Sequence, residues 1–136
     1  MFTIEQINGS HAEVQSGADF PAHVQRLVIL GIECYTVYVK DGHAEYIGSD
    51  SYRIQSEAKY PILLINDVAD IPKFKEYLQM HQEGHTDYMT FCMHAAETGV
   101  EKWVCNLKEM TCVYFDKTGN EMLVETIPLP TGHQAE

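Results

Sequence analysis

DFPAHVQRLVILGIECY (residues 19–35) and DYMTFCMHAAETGVEKW (residues 87–103) are the two stretches whose reading decides the fold. Laid over one another with no gap, Asp19 falls on Asp87, Phe20 on Tyr88, Gly31 on Gly99, Ile32 on Val100, Glu33 on Glu101 and Tyr35 on Trp103. Each opens on an aspartate, whose carboxylate can accept from the unpaired N–H groups of a first helical turn. Each helix then stops at a glycine, which enters the left-handed region without a Cβ penalty. In between lie apolar faces at helical spacing. The first is Val24, Leu27, Val28 and Leu30, behind a tolerated Pro21; the second is Tyr88, Phe91, Cys92, Ala95 and Ala96. Two unrelated helices of equal length can share such caps and stops. The shared Gly-[Ile/Val]-Glu-x-aromatic continuation favours duplication instead.

Working outward, each stretch has a helix before it and strands after it. Thr3 and Gln6 form a capping-box pattern, and Ile4, Ile7, His11 and Val14 follow at helical spacing, so a helix is predicted over residues 3–15, ending at Ser16-Gly17. Its counterpart starts at the cap Asp70, carries Pro72 in its first turn and Phe74, Tyr77, Leu78 and His81 along one side, and ends at Gly84. Beyond Gly31 the period becomes two from Cys34 to Lys40, and Asp41-Gly42 is a type I′ hairpin signal that places Val39 opposite Ala44 and Val37 opposite Tyr46. Residues 52–55 complete a meander. Beyond Gly99, strands are predicted at residues 102–107, 111–116 and 122–127, the last two joined by a turn at Lys117-Thr118-Gly119-Asn120. The expected architecture is a single α+β domain over residues 1–130, made of two pseudo-repeated units (about 1–60 and 68–130). Each unit is a helical hairpin followed by a three-stranded antiparallel β-meander, and a pseudo-twofold axis relates them. TGHQAE (131–136) reads as a flexible polar tail.

Composition bounds the function. A chain of 136 residues, 45% hydrophobic and 21% charged, has the size and balance of one globular domain and not of a disordered segment. No apolar run approaches the roughly 18 residues of a spanning helix, and MFTIEQ has no signal-peptide character, so a cytoplasmic protein without membrane association is expected. Cys34, Cys92, Cys105 and Cys112 form no CxxC pair and read as small buried hydrophobes of a reducing compartment. Twenty acids against nine bases give a net charge of −11, which repels phosphate backbones and argues against nucleic-acid binding.

The most chemical-looking stretch is HQEGHTDYMTFCMH (81–94). Cys92 and His94 are about 200° apart around a helix and cannot face one ion, while a helix break separates His81 from His85. Phosphate-loop, dinucleotide, nucleophile-elbow and zincin motifs are missing. No catalytic, cofactor-binding or metal residue is therefore assigned, and no cofactor is expected. His11 and His81 each stand late on the first helix of a unit, facing its core. They are pocket or interface candidates together with Trp103 and Tyr114 of the second meander. That meander alternates poorly, with Val104, Val113, Phe115 and Val124 opposing Trp103, Cys105, Cys112 and Tyr114. Either helices cover both of its faces or part of it meets a partner.

MFTIEQI, SGADFPAHVQ (16–25), YTVYVKDGHAEYIG (35–48), HQEGHTDYMTFC and GVEKWVCNLKEMTCVYFDKTGNEMLVETIP (99–128) together resemble the YdfO/YbcV-like family of small bacterial and prophage-borne proteins, some of them labelled phage envelope protein. The resemblance implies a compact α+β domain and supplies no reaction or catalytic residue. The functional expectation is a non-catalytic binding or regulatory module working through an unknown protein partner or a homodimer. The alternative is a small enzyme or ligand-binding protein with a His/Tyr-lined pocket between helices and sheet.

Overall fold

The computed structural model describes residues 2–11 and 20–127. The first helix, α1 (Ile4–His11), starts where its caps place it: the Thr3 amide donates to Gln6 Oε1 (2.9 Å) and the Gln6 amide to Thr3 Oγ1 (3.1 Å). Val14, Ser16-Gly17, the cap Asp19 and the tail from 128 onward lie outside the described residues, as does the side chain of His11. Next come α2 (Phe20–Leu30), β1 (Ile32–Tyr38), β2 (Ala44–Gly48) and β3 (Arg53–Gln55). The second series is α3 (Ile71–Gln82), α4 (Tyr88–Glu97), β4 (Lys102–Asn106), β5 (Thr111–Phe115) and β6 (Glu121–Thr126). Asp70 caps α3 by accepting from the Lys73 amide, and Asp87 caps α4 by accepting from the Thr90 amide. Helices α2 and α4 are both followed by a left-handed glycine, Gly31 (φ +98°) and Gly99 (φ +92°).

All six strands join one antiparallel sheet in the order β3-β2-β1-β4-β5-β6, so the chain is α+β. The centre of the sheet is the β1–β4 ladder, running from Cys34–Asn106 to Tyr38–Lys102. The first hairpin departs from the register expected of a two-residue turn: Val37 pairs with Ala44 and Tyr35 with Tyr46. The cause is Val39, fully buried, whose amide bonds Glu101 O (3.0 Å) beside β4 and so leaves the β1–β2 ribbon. The ribbon closes instead with the Tyr38 amide on His43 O (2.9 Å), around a loop that ends on left-handed Gly42. Since the slip is two residues, every side chain keeps its predicted face.

The described helices pack on one face of the sheet. Val24 and Leu27 of α2, Phe74 and Leu78 of α3, and Phe91, Cys92 and Ala95 of α4 bury themselves against Tyr35, Val37, Tyr46, Trp103, Cys105 and Tyr114. Full burial of one such large side chain contributes about 1.5–3 kcal/mol. Residues 56–70 carry the chain from edge strand β3 to α3, and their backbone is pinned at several points. Leu63 N–H donates to Lys40 O (2.7 Å), Asn66 N–H to Ala96 O (2.9 Å) and Asp70 N–H to Thr98 O (2.9 Å). No described helix is long and apolar enough to cross a membrane.

The two helix-ending glycines separate backbone strain from crowding. A Cβ on Gly31 meets nothing within 4 Å, whereas one on Gly99 falls 2.9 Å from both Ala69 Cα and Val68 O. Gly31→Ala is expected to cost about 1–2 kcal/mol, from the left-handed backbone alone. Gly99→Ala should cost roughly 1–3 kcal/mol more, because the crossover backbone must move. Urea denaturation of both variants measures the difference, and equal losses would contradict the packing of residues 68–69 on Gly99.

Candidate functional site

The histidines of residues 81–94 go to three different places. His81, in the last turn of α3, is buried, with its ring stacked on Phe91 of α4 (centroids 4.5 Å, interplanar angle 13°). Its Nδ1 lies 3.1 Å from Thr86 O, and because a carbonyl only accepts, the proton is assigned to Nδ1. Burial holds the His81 pKa below its ordinary value, and the positive charge of a protonated His94 pushes the same way. The Thr86 bond and the Asp87 carboxylate oppose this in part. His94 lies outside the buried stripe of α4 and stacks on Tyr77 of α3 (3.7 Å, 10°), and its Nδ1 is buried with no hydrogen-bond partner. Tyr77 in turn donates from its hydroxyl to Glu97 (3.0 Å). His85 is exposed, 3.5 Å from Glu83. Among the described residues no group of three or more His, Cys, Asp or Glu is placed to hold a metal ion.

Of the sequence candidates, Trp103 and Tyr114 lie in the core, where they meet as neighbouring cross-strand rings with centroids 6.0 Å apart. Phe91 tilts against Trp103 (5.6 Å) and Phe74 meets Tyr114 edge-on (4.9 Å), so His81 joins these rings through Phe91. His11 ends α1, and the structure therefore brings together three of the four candidates through packing. Their aromatic character was legible in the sequence; that they share one cluster depends on the β4–β5 register and on the α3–α4 contact.

Beside this cluster a cleft of about 270 Å³ opens between α3 and β6, lined by Lys75, Leu78, Gln79, Gln82, Leu123 and Glu125. Gln82 Nε2 donates to Glu125 Oε1 (3.0 Å) across it. Half-burial pushes the Glu125 carboxyl up from its ordinary value, and the Gln82 bond offsets part of that. Sequence reasoning missed this cleft because it arises where α3 lies beside β6, a long-range contact that neither element signals locally.

The opposite face of the sheet has no described helix upon it. Its middle row is Thr36, Val104, Val113 and Val124, in register across β1, β4, β5 and β6, and Ile47 and Phe115 flank it. Val124 is 54% exposed. The charged residues in register on this face are Glu45, Glu121, Arg53 and Lys102, two of each sign. Arg53 pairs with Glu45 (3.0 Å) and Lys102 Nζ lies over the Phe115 ring (5.5 Å). The four charges in strand register on this face therefore cancel. This is the poorly alternating meander of the sequence, with the described helices on one side only.

The buried His81 and the half-buried Glu125 give pH signatures of opposite sign. His81 titrates lower in the folded chain than in the unfolded one, so the unfolded state takes up a proton first and stability is lost as pH falls below about 6.5. His81→Gln should show a shallower loss between pH 7 and 5, measured by urea denaturation; parallel curves would contradict the buried neutral ring. Glu125 titrates higher when folded, so its cost appears as pH rises above about 4.5. Glu125→Gln should be more stable than the parent at pH 7, with the advantage gone near pH 4. A loss of stability at pH 7 would contradict the assigned burial.

Residues 8–126 match the family described as Protein of unknown function (DUF1398). No curated protein matches the chain. A match reaching from within α1 to the last residue of β6 includes every strand of the sheet and both of its faces, and the chain belongs to the DUF1398 family.

Proposed function

We propose that the chain is a non-catalytic binding module, and that the open face of its sheet takes a second copy of the chain, sheet against sheet. The observation that carries this reading is the charge balance of that face: an acidic chain repels itself everywhere except where its charges cancel, and there the apolar row from Thr36 to Val124 is available for contact. Six strands at ~4.8 Å spacing and about five residues at ~3.4 Å rise give roughly 400 Å² of projected face. That is below the ~800 Å² per partner of a standard interface, so the dimer is weak. In this reading His81, Trp103 and Tyr114 support the face from behind and bind nothing themselves.

The same proposal treats the chain as one domain of two duplicated units. Tyr35–Tyr46 and Val37–Ala44 in the first ribbon correspond to Trp103–Tyr114 and Cys105–Cys112 in the second at one constant offset, the same offset that aligns Gly31 with Gly99. The central pairs Tyr35–Cys105 and Val37–Trp103 exchange under the corresponding twofold about Thr36–Val104. The four free thiols suit a cytoplasmic location, and the sequence runs resembling prophage-borne proteins suit a prophage association.

Sedimentation across roughly 1–100 µM should show mass rising from monomer toward dimer. Val104→Lys and Val113→Lys, on the face away from the described helices, should abolish the rise while leaving the unfolding transition within about 1 kcal/mol of the parent. A parent that stays monomeric throughout, or dimers that survive both substitutions, would overturn the proposal.

A further inference from the structure

Cys105 of β4 and Cys112 of β5 are directly opposed, with Sγ atoms 3.1 Å apart, and both are almost wholly buried (0% and 3% exposed). The ladder around them defines their geometry. The Val39 amide bonds Glu101 O and the Leu107 amide bonds Glu33 O, so along the β1–β4 register the hydrogen-bonding groups of Trp103, Cys105 and Leu107 turn toward β1. Toward β5, Cys105–Cys112 is consequently a non-hydrogen-bonded pair, the kind in which Cα atoms approach to about 4.5 Å and side chains are closer. That spacing lies within the ~4.4–6.8 Å a disulfide spans. The two sulfurs need to close by only about one ångström to reach the ~2.05 Å of the bond.

Packing alone does not call for sulfur at these positions. The corresponding pair of the first ribbon, Val37–Ala44, fills the same register with hydrocarbon. The cleft between α3 and β6 lies next to the pair on the second ribbon. Glu125, in the lining of the cleft between α3 and β6, is the cross-strand partner of Cys112 on the same face of the sheet. The Gln82–Glu125 hydrogen bond crosses that cleft.

We propose that Cys105 and Cys112 form a reversible oxidation site whose oxidant is hydrogen peroxide or a comparably small hydroperoxide. The Cys112 sulfur attacks one peroxide oxygen; the O–O bond breaks, a sulfenic acid forms and the first water leaves. The Cys105 sulfur then attacks the Cys112 sulfur; the S–O bond breaks, the disulfide forms and the second water leaves with the remaining thiol proton. Two thiols lose two electrons and peroxide becomes two waters. A low-molecular-weight thiol reverses the bond by exchange. Burial pushes the Cys105 thiol well above its ordinary value, so the second step, its attack on the Cys112 sulfur, quickens as pH rises.

The test uses the full chain, folded, treated with hydrogen peroxide, then unfolded in an alkylating reagent and mapped by mass spectrometry. The expected result is the loss of two alkylatable thiols out of four, with one bond mapped to Cys105–Cys112 and removed by dithiothreitol. Cys34→Ser should leave this yield unchanged, and Cys112→Ser should abolish it. The proposal is overturned if all four thiols stay alkylatable, if the bond involves Cys34, Cys92 or a second chain, or if the Cys105–Cys112 bond forms only once urea has unfolded the protein. The wild-type map decides the matter even if the Cys112 variant does not fold.

Discussion

Backbone pairing between β1 and β4 joins two ribbons that would otherwise each end in an open edge. The ladder runs from Cys34–Asn106 to Tyr38–Lys102 and is extended at both ends by the Val39–Glu101 and Leu107–Glu33 hydrogen bonds. An unpaired β1 or β4 would present a long apolar edge carrying Tyr35 and Val37 or Trp103 and Cys105, a template for aggregation. Nothing local produces this contact. The crossover segment and both helices of the second series lie between the two strands, so the entropy of closing that loop is lost before the ladder returns any free energy. The pinned crossover, with Leu63 on Lys40 and Asn66 on Ala96, shortens the search by holding the connection along the protein.

Most other features follow from that ladder. With β1 and β4 adjacent, the side chains of alternate residues point to the same face on all six strands, and one continuous core forms beneath α2, α3 and α4. The other face emerges as a single surface with Thr36 and Val104 at its middle, apolar along one row and neutral in charge. The direction in which β4 bonds to β1 also decides that Cys105 meets Cys112 at close range. An open face and a dithiol behind it are both outcomes of the same register.

The sequence reported local structure well where one residue has one physical task. Thr3, Asp70 and Asp87 cap helices, and Gly31 and Gly99 end them, since few residues do either job as well. It failed at the first hairpin, where Asp41-Gly42 pointed to a two-residue turn. The competing demand was Val39, whose amide and side chain are taken by β4 and the core, a long-range effect no turn signal contains. That His94 would stack on Tyr77 was not legible either, because its partner belongs to another helix. The poor alternation of β4 and β5 did announce an unusual sheet face. Which side the helices would leave open, and that Gln82 and Glu125 would meet across a cleft, required the packing of α3 on the sheet.

The ladder at the centre is directly observable in solution. In a non-hydrogen-bonded antiparallel pair the two α-carbons stand about 4.5 Å apart, which brings their α-protons into strong dipolar contact. Nuclear Overhauser spectra of the folded chain should therefore contain an α-proton cross-peak between Thr36 and Val104. If the Thr36 α-proton instead contacts only its own ribbon, or pairs with a different residue of β4, the two halves do not join as described and the single sheet with its open face is wrong.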